Sequence, residues 1–365
     1  MTKYAARPDS VQHIPVIVER AVRMSMYGTP GPCYIDLPHN LLLAKVPEDS
    51  VTYLPKVEPL PPLAVPQNLL NATINLLKSA KSPLVIVGKG IAYADASEEM
   101  QRFVETTQIP FLATPMGKGV ISDYHDLSAA RARSYVLQNA DVIFLCGARL
   151  NWILHFGMPP RFRPDVKIIQ LDADPLEMNT NVVSTVPLCG DAKMVLSQLN
   201  QEMQANPSAF QSGKADTTAW NTAIKTKSDK NAKVSLDLAR DPSLPMNYYS
   251  SIGIVQEEIA RLGDNYIIVS EGSNTMDIGR TILQNTKPLQ RLDAATFGTM
   301  GVGFAFAIAA QHLNPGKKVV MVTGDSAFGF SGMELETAAR YRLPIKVVII
   351  NNNGIVMGTD EIEQD

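Results

Sequence analysis

The sequence predicts an α/β protein in which parallel sheets are flanked by helices. Short apolar runs rich in valine and isoleucine alternate with segments of helical periodicity, an order typical of sheets covered on both faces. The chain has 365 residues, of which 45% are hydrophobic and 19% charged, so the apolar material is sufficient for a core. This composition excludes a wholly disordered chain, and the length predicts two or three domains.

Charge and cysteine usage exclude several other classes of protein. The net charge is −3 with both signs interspersed, and no basic stripe suggests a nucleic-acid partner. The longest apolar run, Val302 to Ala310, is too short to span a bilayer, so we expect no membrane span. Cys33, Cys146 and Cys189 lie far apart, which favours reduced thiols over disulfides or zinc.

The first 66 residues are predicted to hold part of a domain and a linker. A helix is expected from about Ser10 to Met26, and a strand at Cys33 to Leu37. The apolar face of that helix is predicted to hold Val11, Ile14, Val18, Ala21 and Val22. One helix and one strand cannot bury a core, so residues 1–45 are interpreted as the C-terminal remnant of a domain. Six prolines in residues 46–66 predict a linker.

Residues 67–205 are predicted to form one complete domain, followed by a polar connector at 206–245 with one or two solvated helices. The expected helices are Leu69–Ser79, Ser97–Thr107, Ala129–Asn139 and Ala192–Met203, and the expected strands are Pro83–Gly88, Ile109–Ala113, Asp141–Cys146 and Val166–Asp172. Their alternation predicts a parallel sheet.

A second α/β block is expected in residues 246–365. It begins with a helix at Tyr248–Leu262, and strands are expected at Tyr266–Ser270, Val319–Thr323 and Lys346–Ile350. After Val319–Thr323 we expect a loop, and then a helix that starts with the capping-box spacing of Ser331 and Glu334 and runs to Tyr341. This β-α-β order makes the last two strands parallel.

Asp325 and Asn352 each follow one of these strands, so both are predicted at the carboxyl edge of the sheet, where such sheets bind ligands. Carboxylate and amide oxygens are ligands that Mg²⁺ prefers, together with water and phosphate oxygens. Gly324 and Gly354 would let the backbone approach a bulky diphosphate. The alternative is a structural role, with Asp325 as a helix cap and Asn352 as a turn residue.

The spacing also carries a resemblance to a known family. Gly324-Asp325-Ser326, with 25 residues before Asn352, resembles the thiamine diphosphate and Mg²⁺ motif of thiamine-dependent enzymes. Longer strings narrow the resemblance to 2-hydroxyacyl-CoA lyases, with oxalyl-CoA decarboxylases as the close sister group. These strings lie at 114–119, 147–157, 270–280, 297–303 and 324–337, and the resemblance extends from about residue 10 to residue 355.

The resemblance implies the three-domain thiamine diphosphate fold, in which separate α/β domains bind the aminopyrimidine and the diphosphate. The first domain (1–45) and the last (246–365) would be incomplete here. The resemblance implies Mg²⁺ ligands at Asp325, Asn352 and the backbone of Gly354. The implied cofactor contacts are Gly298, Thr299, Met300, Gly324, Ser326 and Ala327. Met300 would be the apolar wedge that holds the cofactor bent, and ordinary core packing is the alternative.

Substrate and nucleotide positions follow from the same resemblance. Ser273, Asn274 and Arg280 match the region near the acyl-CoA substrate, with a surface salt bridge as the alternative for Arg280. Lys89, Arg149 and Asp172 lie at strand ends and resemble positions that hold an adenine nucleotide. The alternative is a structural role, in which these three charged residues cap loops. Trp152 and His155 are expected to be packing residues.

The resemblance implies a carbon–carbon lyase of fatty acid alpha-oxidation that cleaves 2-hydroxyacyl-CoA to formyl-CoA and an aldehyde one carbon shorter. Oxalyl-CoA decarboxylation and a non-catalytic binding or interaction module are the alternatives. The family's activating glutamate would precede Ser10, so we assign no catalytic residue and expect the chain alone to be inactive. A homo-oligomer is implied, and so is a peroxisomal location, with a cytoplasmic one as the alternative.

Overall fold

The first sheet of the protein is a pair of parallel strands joined by a helix. The computed structural model describes residues 2–205, 214–294 and 297–355, and it begins with β1 (Tyr4–Ala6), α1 (Ile14–Met26), β2 (Cys33–Ile35) and α2 (His39–Leu42). The prediction that the first helix starts at Ser10 was wrong, because α1 begins four residues later with a proline in its first turn. Its buried residues are Ile17 and Ala21, whereas Val18 and Val22 are exposed, since two strands cover only a narrow stripe of the helix.

The proline-rich segment 46–66 carries only a short 3₁₀ helix at Glu48–Ser50. The end of this segment is attached to the part of the chain that forms the five-stranded sheet, because the carbonyl of Leu63 accepts a hydrogen bond from the N–H of Asp191 (2.9 Å). Without backbone donors at its prolines, this segment cannot join a helix or a central strand.

The second sheet has five parallel strands in the order β4-β3-β5-β6-β7. All five residues of β3 and of β5 are buried, because helices cover both faces of the sheet. The strands are β3 (Pro83–Val87), β4 (Phe111–Ala113), β5 (Val142–Cys146), β6 (Lys167–Asp172) and β7 (Val186–Cys189), and the helices are α3 (Gln67–Ser79), α4 (Lys89–Tyr93), α5 (Ser97–Thr107), α6 (Arg133–Asn139) and α7 (Ala192–Ala205). β7 and α4 were not predicted.

A 22-residue helix, α8 (Thr218–Ala239), occupies most of the predicted connector. The expectation of a solvated helix was wrong for its first turns, because Trp220 and Ile224 are buried in the core beneath β3 and β5. The indole N–H of Trp220 donates to the carbonyl of Pro83 (2.9 Å). An apolar pair four residues apart gives a polar helix one narrow face that packs.

The third sheet has four parallel strands in the order β11-β10-β8-β9. Its central strands pack between helices that form two apolar clusters, one on each face. The strands are β8 (Tyr266–Ser270), β9 (Arg291–Asp293), β10 (Lys318–Gly324) and β11 (Lys346–Ile350), and the helices are α9 (Tyr248–Ala260), α10 (Ser273–Ile282), α11 (Gly303–Leu313), α12 (Asp325–Ser331) and α13 (Glu334–Arg340). The predicted α/β class is confirmed, and the domain boundaries stay a prediction.

The predicted loop and capping box after β10 were wrong. Helix α12 begins at Asp325 itself, and Ser331 is its last residue. Helix α13 begins at Glu334 after Met333, without a side-chain cap. A capping serine must precede its helix in an extended conformation, and Ser331 is already helical.

A buried polar contact joins the five-stranded and four-stranded sheets. The ammonium of Lys118 lies 2.7 Å from the carboxylate of Asp123 and donates to the carbonyl of Arg280 (3.1 Å). The N–H of Asn285 donates to the carboxylate of Asp123 (2.7 Å). The loop at 118–123 is therefore bound to the end of α10 and the turn after it. In the described ranges, no helix is long and apolar enough to cross a membrane.

Candidate functional site

Asp325 and Asn352 lie at the same edge of the four-stranded sheet. Gly324 at the end of β10 is in register with Ile350 at the end of β11, so both residues follow the carboxyl ends of neighbouring parallel strands. The carboxylate of Asp325 is half-buried and forms no hydrogen bond or ion pair with the described residues. Beyond β11, the N–H of Asn353 donates to the side-chain oxygen of Asn351 (2.9 Å), which turns the chain.

The donor set at this edge fits a hard cation. A carboxylate, an amide oxygen and a main-chain carbonyl are oxygen ligands suited to Mg²⁺. Within the described part of the chain, no group of three or more His, Cys, Asp or Glu side chains could hold a metal. The oxygen donors near this edge that could hold a cation are the carboxylate of Asp325, the amide of Asn352 and the main-chain carbonyl of Gly354.

The two strand-to-helix turns at this edge approach each other closely. A Cβ on Gly272, after β8, would lie 3.2 Å from the nitrogen of Gly324, and the φ angle of Gly272 is +89°. Ser326 is half-buried and Ala327 is buried in the first turn of α12, where backbone N–H groups have no partner within the helix. The absence of a side chain at Gly272 therefore allows the turn after β8 to approach Gly324 closely. The backbone N–H groups at the start of α12 lie directly after Gly324.

The turn that contains Gly298, Thr299 and Met300 packs against α12. Gly298 has a φ angle of +63° and donates to the carbonyl of Ala294 (2.9 Å), while Thr299 is exposed and Met300 is half-buried. A Cβ on the following residue, Gly301, would lie 2.8 Å from the Cβ of Phe330. The structure thus brings two of the segments predicted to contact the cofactor next to each other.

Glu271 is a buried carboxylate at this edge that sequence reasoning missed. It follows β8 and is 0% exposed. It accepts a hydrogen bond from the N–H of Val302 (2.7 Å) and one from the hydroxyl of Thr323 (3.4 Å). Burial raises the pKa of this carboxyl, against the lowering effect of main-chain N–H groups from Gly303, Val302 and Gly301. A charged residue directly after a largely apolar strand was the signal in the sequence.

Ser273, Asn274 and Arg280 lie on one helix, α10. The first two are in its first turn, and Arg280 is in its last turn. The guanidinium of Arg280 forms ion pairs with Asp277 (2.6 Å) and with buried Asp293 (3.0 Å). These contacts position Arg280 and leave its side chain 19% exposed.

Arg280 borders a cleft of about 910 Å³ between the two larger sheets, together with Arg133. Arg133 was not predicted, although Arg131-Ala-Arg133 was a visible basic pair. Its guanidinium donates to the carbonyl of Ile153 and forms no ion pair with the described residues. Burial lowers the pKa of Arg133, and the charges of Arg280 and Arg161 lower it further. The charge of Asp277 acts in the opposite direction, so the cleft holds two guanidinium groups, those of Arg133 and Arg280, with one carboxylate beside them.

Lys89, Arg149 and Asp172 line a second cavity of about 480 Å³. Burial lowers the pKa of Lys89, and the charge of Arg149 acts in the same direction. Burial raises the pKa of Asp172, whereas hydrogen bonds from two main-chain N–H groups and the charge of Arg149 lower it. Arg149 also pairs with Glu177 (2.8 Å). The three predicted residues therefore share one site.

Trp152, expected to be a packing residue, is 44% exposed at the mouth of the neighbouring cleft. A Cβ on Gly298 would lie 3.7 Å from its ring, so Trp152 borders the turn described above. His155 is half-buried on the same short helical segment.

Comparison with known proteins agrees with this geometry. The model of the central domain of thiamine pyrophosphate enzymes matches residues 70–199, and the model of their C-terminal TPP-binding domain matches residues 271–364. The chain is 48% identical to human 2-hydroxyacyl-CoA lyase 1 over 98% of its own length and 62% of that protein. It is 40% identical to the 2-hydroxyacyl-CoA lyase of Arabidopsis thaliana, over 98% of the chain and 63% of the relative.

Oxalyl-CoA decarboxylase of Escherichia coli K12 is also 40% identical, over 98% of the chain and 62% of that enzyme. The chain thus spans somewhat less than two thirds of the length of these relatives. The two matched family models together cover more than half of it. The chain belongs to the thiamine pyrophosphate enzymes, and within them it is similar to the 2-hydroxyacyl-CoA lyases, with oxalyl-CoA decarboxylase as a sister.

Proposed function

We propose that this chain supplies the metal, diphosphate and acyl-CoA contacts of a thiamine diphosphate- and Mg²⁺-dependent lyase that cleaves a 2-hydroxyacyl-CoA to formyl-CoA and an aldehyde one carbon shorter. The observation that carries the proposal is the strand register that sets Asp325 and Asn352 at one edge of the sheet. The bound cofactor would supply the electron sink for breaking the carbon–carbon bond. The names of the relatives support the choice of reaction.

The residues of this chain would bind and orient. Asp325, the amide of Asn352 and the carbonyl of Gly354 would hold Mg²⁺, which would in turn bind the diphosphate. Gly324, Ser326 and Ala327 would contact the diphosphate through the backbone at the start of α12. Gly298, Thr299 and Met300 would lie beside the aminopyrimidine, with Met300 as an apolar wedge.

For the acyl-CoA substrate, we propose contacts from Ser273, Asn274 and Arg280. We add Arg133 to this set because it lines the same cleft as Arg280. Phosphate groups in the cleft would relieve the repulsion between Arg133 and Arg280, since guanidinium groups bind oxyanions through paired hydrogen bonds. At the other cavity, Lys89 and Arg149 would bind the phosphates of an adenine nucleotide, and Asp172 would accept hydrogen bonds from its ribose.

Binding of thiamine diphosphate, measured by calorimetric titration with saturating Mg²⁺, tests the proposal. Asp325→Ala is expected to weaken binding at least about 100-fold, because loss of even an outer partner of a metal site typically costs 10-fold to 100-fold. Glu336→Gln is the control, since Glu336 is exposed on α13 and pairs with Arg340. Equal affinity of the Asp325→Ala variant and the parent chain would reject the assignment of Asp325 as a ligand.

Oxalyl-CoA decarboxylation is the second candidate reaction, supported by the 40% identity to that enzyme. An assay of products separates the two reactions, because the lyase yields formyl-CoA with an aldehyde and the decarboxylase releases CO₂. The higher identity to the human lyase favours the first reaction. A third outcome, co-purification with a longer subunit without cofactor affinity, would support a non-catalytic interaction module. The peroxisome and a homo-oligomer remain the proposed location and assembly.

A further inference from the structure

The carboxylate of Glu271 is buried without a compensating cation. Its side chain is 0% exposed, and no lysine, arginine or histidine among the described residues forms an ion pair with it. Its oxygens accept hydrogen bonds from the N–H of Val302 (2.7 Å) and the hydroxyl of Thr323 (3.4 Å). A buried carboxylate satisfied only by hydrogen bonds fixes the position of its donors, because an unpartnered donor or acceptor there is costly.

The groups that Glu271 contacts belong to separate parts of the chain. Glu271 itself follows β8, Val302 is the residue before α11, and Thr323 is near the end of β10. Val302 comes two residues after Met300, and Thr323 comes two residues before Asp325. One carboxylate therefore connects the turn with Gly298 and Met300 to the turn with Asp325 and Ser326.

Gly303 provides the space for this contact. A Cβ at Gly303 would lie 2.4 Å from an oxygen of Glu271 and 2.7 Å from the Cε of Met321. The backbone at the start of α11 can approach the carboxylate only because residue 303 lacks a side chain. The approach also puts the negative charge at the N-terminal end of α11, where a helix favours anions.

We propose that Glu271 is a positioning residue that holds the Gly298–Gly303 turn and the Gly324–Ala327 turn in one fixed arrangement. The inference rests on the proposed function, because these turns carry the residues assigned to the two ends of the cofactor. Glu271 touches neither Mg²⁺ nor the cofactor in this scheme. The affinity for Mg²⁺ and for the cofactor would therefore depend on the hydrogen bonds that Glu271 forms with Val302 and Thr323.

Hydrogen exchange of the cofactor-free chain tests the positioning role directly. In Glu271→Gln, one of the two acceptor oxygens becomes an NH₂ group that cannot accept, so the N–H groups of Gly301, Val302 and Gly303 are left with a single acceptor oxygen. Amide exchange is therefore expected to rise at least about tenfold at Gly301–Gly303 and at Gly324–Ala327. Protection in α9, whose described residues form no hydrogen bond with Glu271, should be unchanged. Glu334→Gln, at the exposed start of α13, is the matched control and should leave both turns unchanged.

Gly303→Ala supplies an independent variant, because its Cβ should displace the carboxylate and raise exchange at the same two turns. Unchanged exchange at either turn in Glu271→Gln would overturn the proposal, and so would an equal rise in α9, which indicates general loss of stability.

Titration with thiamine diphosphate and Mg²⁺ separates this proposal from the proposed function. Glu271→Gln is expected to bind at least about tenfold more weakly than the parent chain. Unchanged affinity in a parent chain that binds would overturn the positioning role. A parent chain that binds no cofactor would reject the proposed function instead, and the exchange data would still decide whether Glu271 positions the two turns.

Discussion

At the scale of single residues, the buried carboxylate of Glu271 makes stability depend on pH. Burial holds the pKa of Glu271 in the folded protein above its ordinary value of 4.5. Below the unfolded-state value, the group is neutral in both states and its burial has no charge penalty. As the pH rises through the folded-state pKa, the folded protein must bury a charge and loses stability.

We therefore expect the free energy of unfolding of the parent chain, relative to Glu271→Gln, to fall as the pH rises from about 4 to 8, because glutamine cannot ionise. Urea unfolding of both proteins across this range measures the difference. A difference that stays constant or grows with pH would contradict a raised pKa at Glu271.

Asp325 and Asn352 were accessible to sequence reasoning, because each follows a recognisable strand of a β-α-β unit, and register then sets them at one edge. Glu271 and Arg133 had only weak local signals in the sequence, which did not indicate what they contact. Their roles depend on Val302, Thr323 and Arg280, whose proximity is created by folding. Periodicity reports burial of a strand or helix face, and it carries no information on which distant residues meet there.

At the scale of secondary structure, helix α8 packs beneath the central sheet through Trp220 and Ile224. Trp220 is 5% exposed, stacks on Tyr135 with ring centroids 5.7 Å apart, and donates its indole N–H to Pro83. The polar composition of α8 predicted a solvent-exposed helix. The prediction was wrong for the first turns, because the narrow apolar face there is enough for packing.

Trp220→Ala is expected to lower the free energy of unfolding by about 3–5 kcal/mol, since it removes a buried aromatic ring and leaves a cavity. Val234→Ala on the same helix is the control, because Val234 is 52% exposed and should change stability by less than about 0.5 kcal/mol. Urea unfolding measures both, and equal effects would show that α8 is not packed through Trp220.

At the scale of the whole molecule, a buried ion pair connects the two larger sheets. The side chains of Lys118 and Asp123 are 7% and 2% exposed. Their hydrogen-bond partners, Arg280 and Asn285, lie in the part of the chain that forms the four-stranded sheet. Burial lowers the pKa of Lys118, and the charge of Asp123 opposes this effect. The loop that contains Lys118 was singled out in the sequence only as a resembling string, and its contact with α10 explains its position.

Lys118→Met should lower the free energy of unfolding by about 3–5 kcal/mol, because it leaves the carboxylate of Asp123 buried without its cation. Lys193→Met is the matched control, since Lys193 pairs with Asp95 at the surface and the loss should be at most about 1 kcal/mol. Chemical unfolding of the two variants measures both changes. A loss of unfolding free energy in Lys118→Met no larger than that in Lys193→Met would reject a structural role for the buried pair.

The sequence by itself determined the α/β class, most of the strands of the two larger sheets and the pair Asp325 and Asn352, because these depend on local periodicity and on spacing within one β-α-β unit. Only the tertiary structure decided that α12 begins at Asp325, that α8 packs through Trp220, and that Glu271 joins the two turns. These features arise from contacts between segments remote in sequence, whose free energy comes from burial and hydrogen bonds that form only when the sheets are assembled.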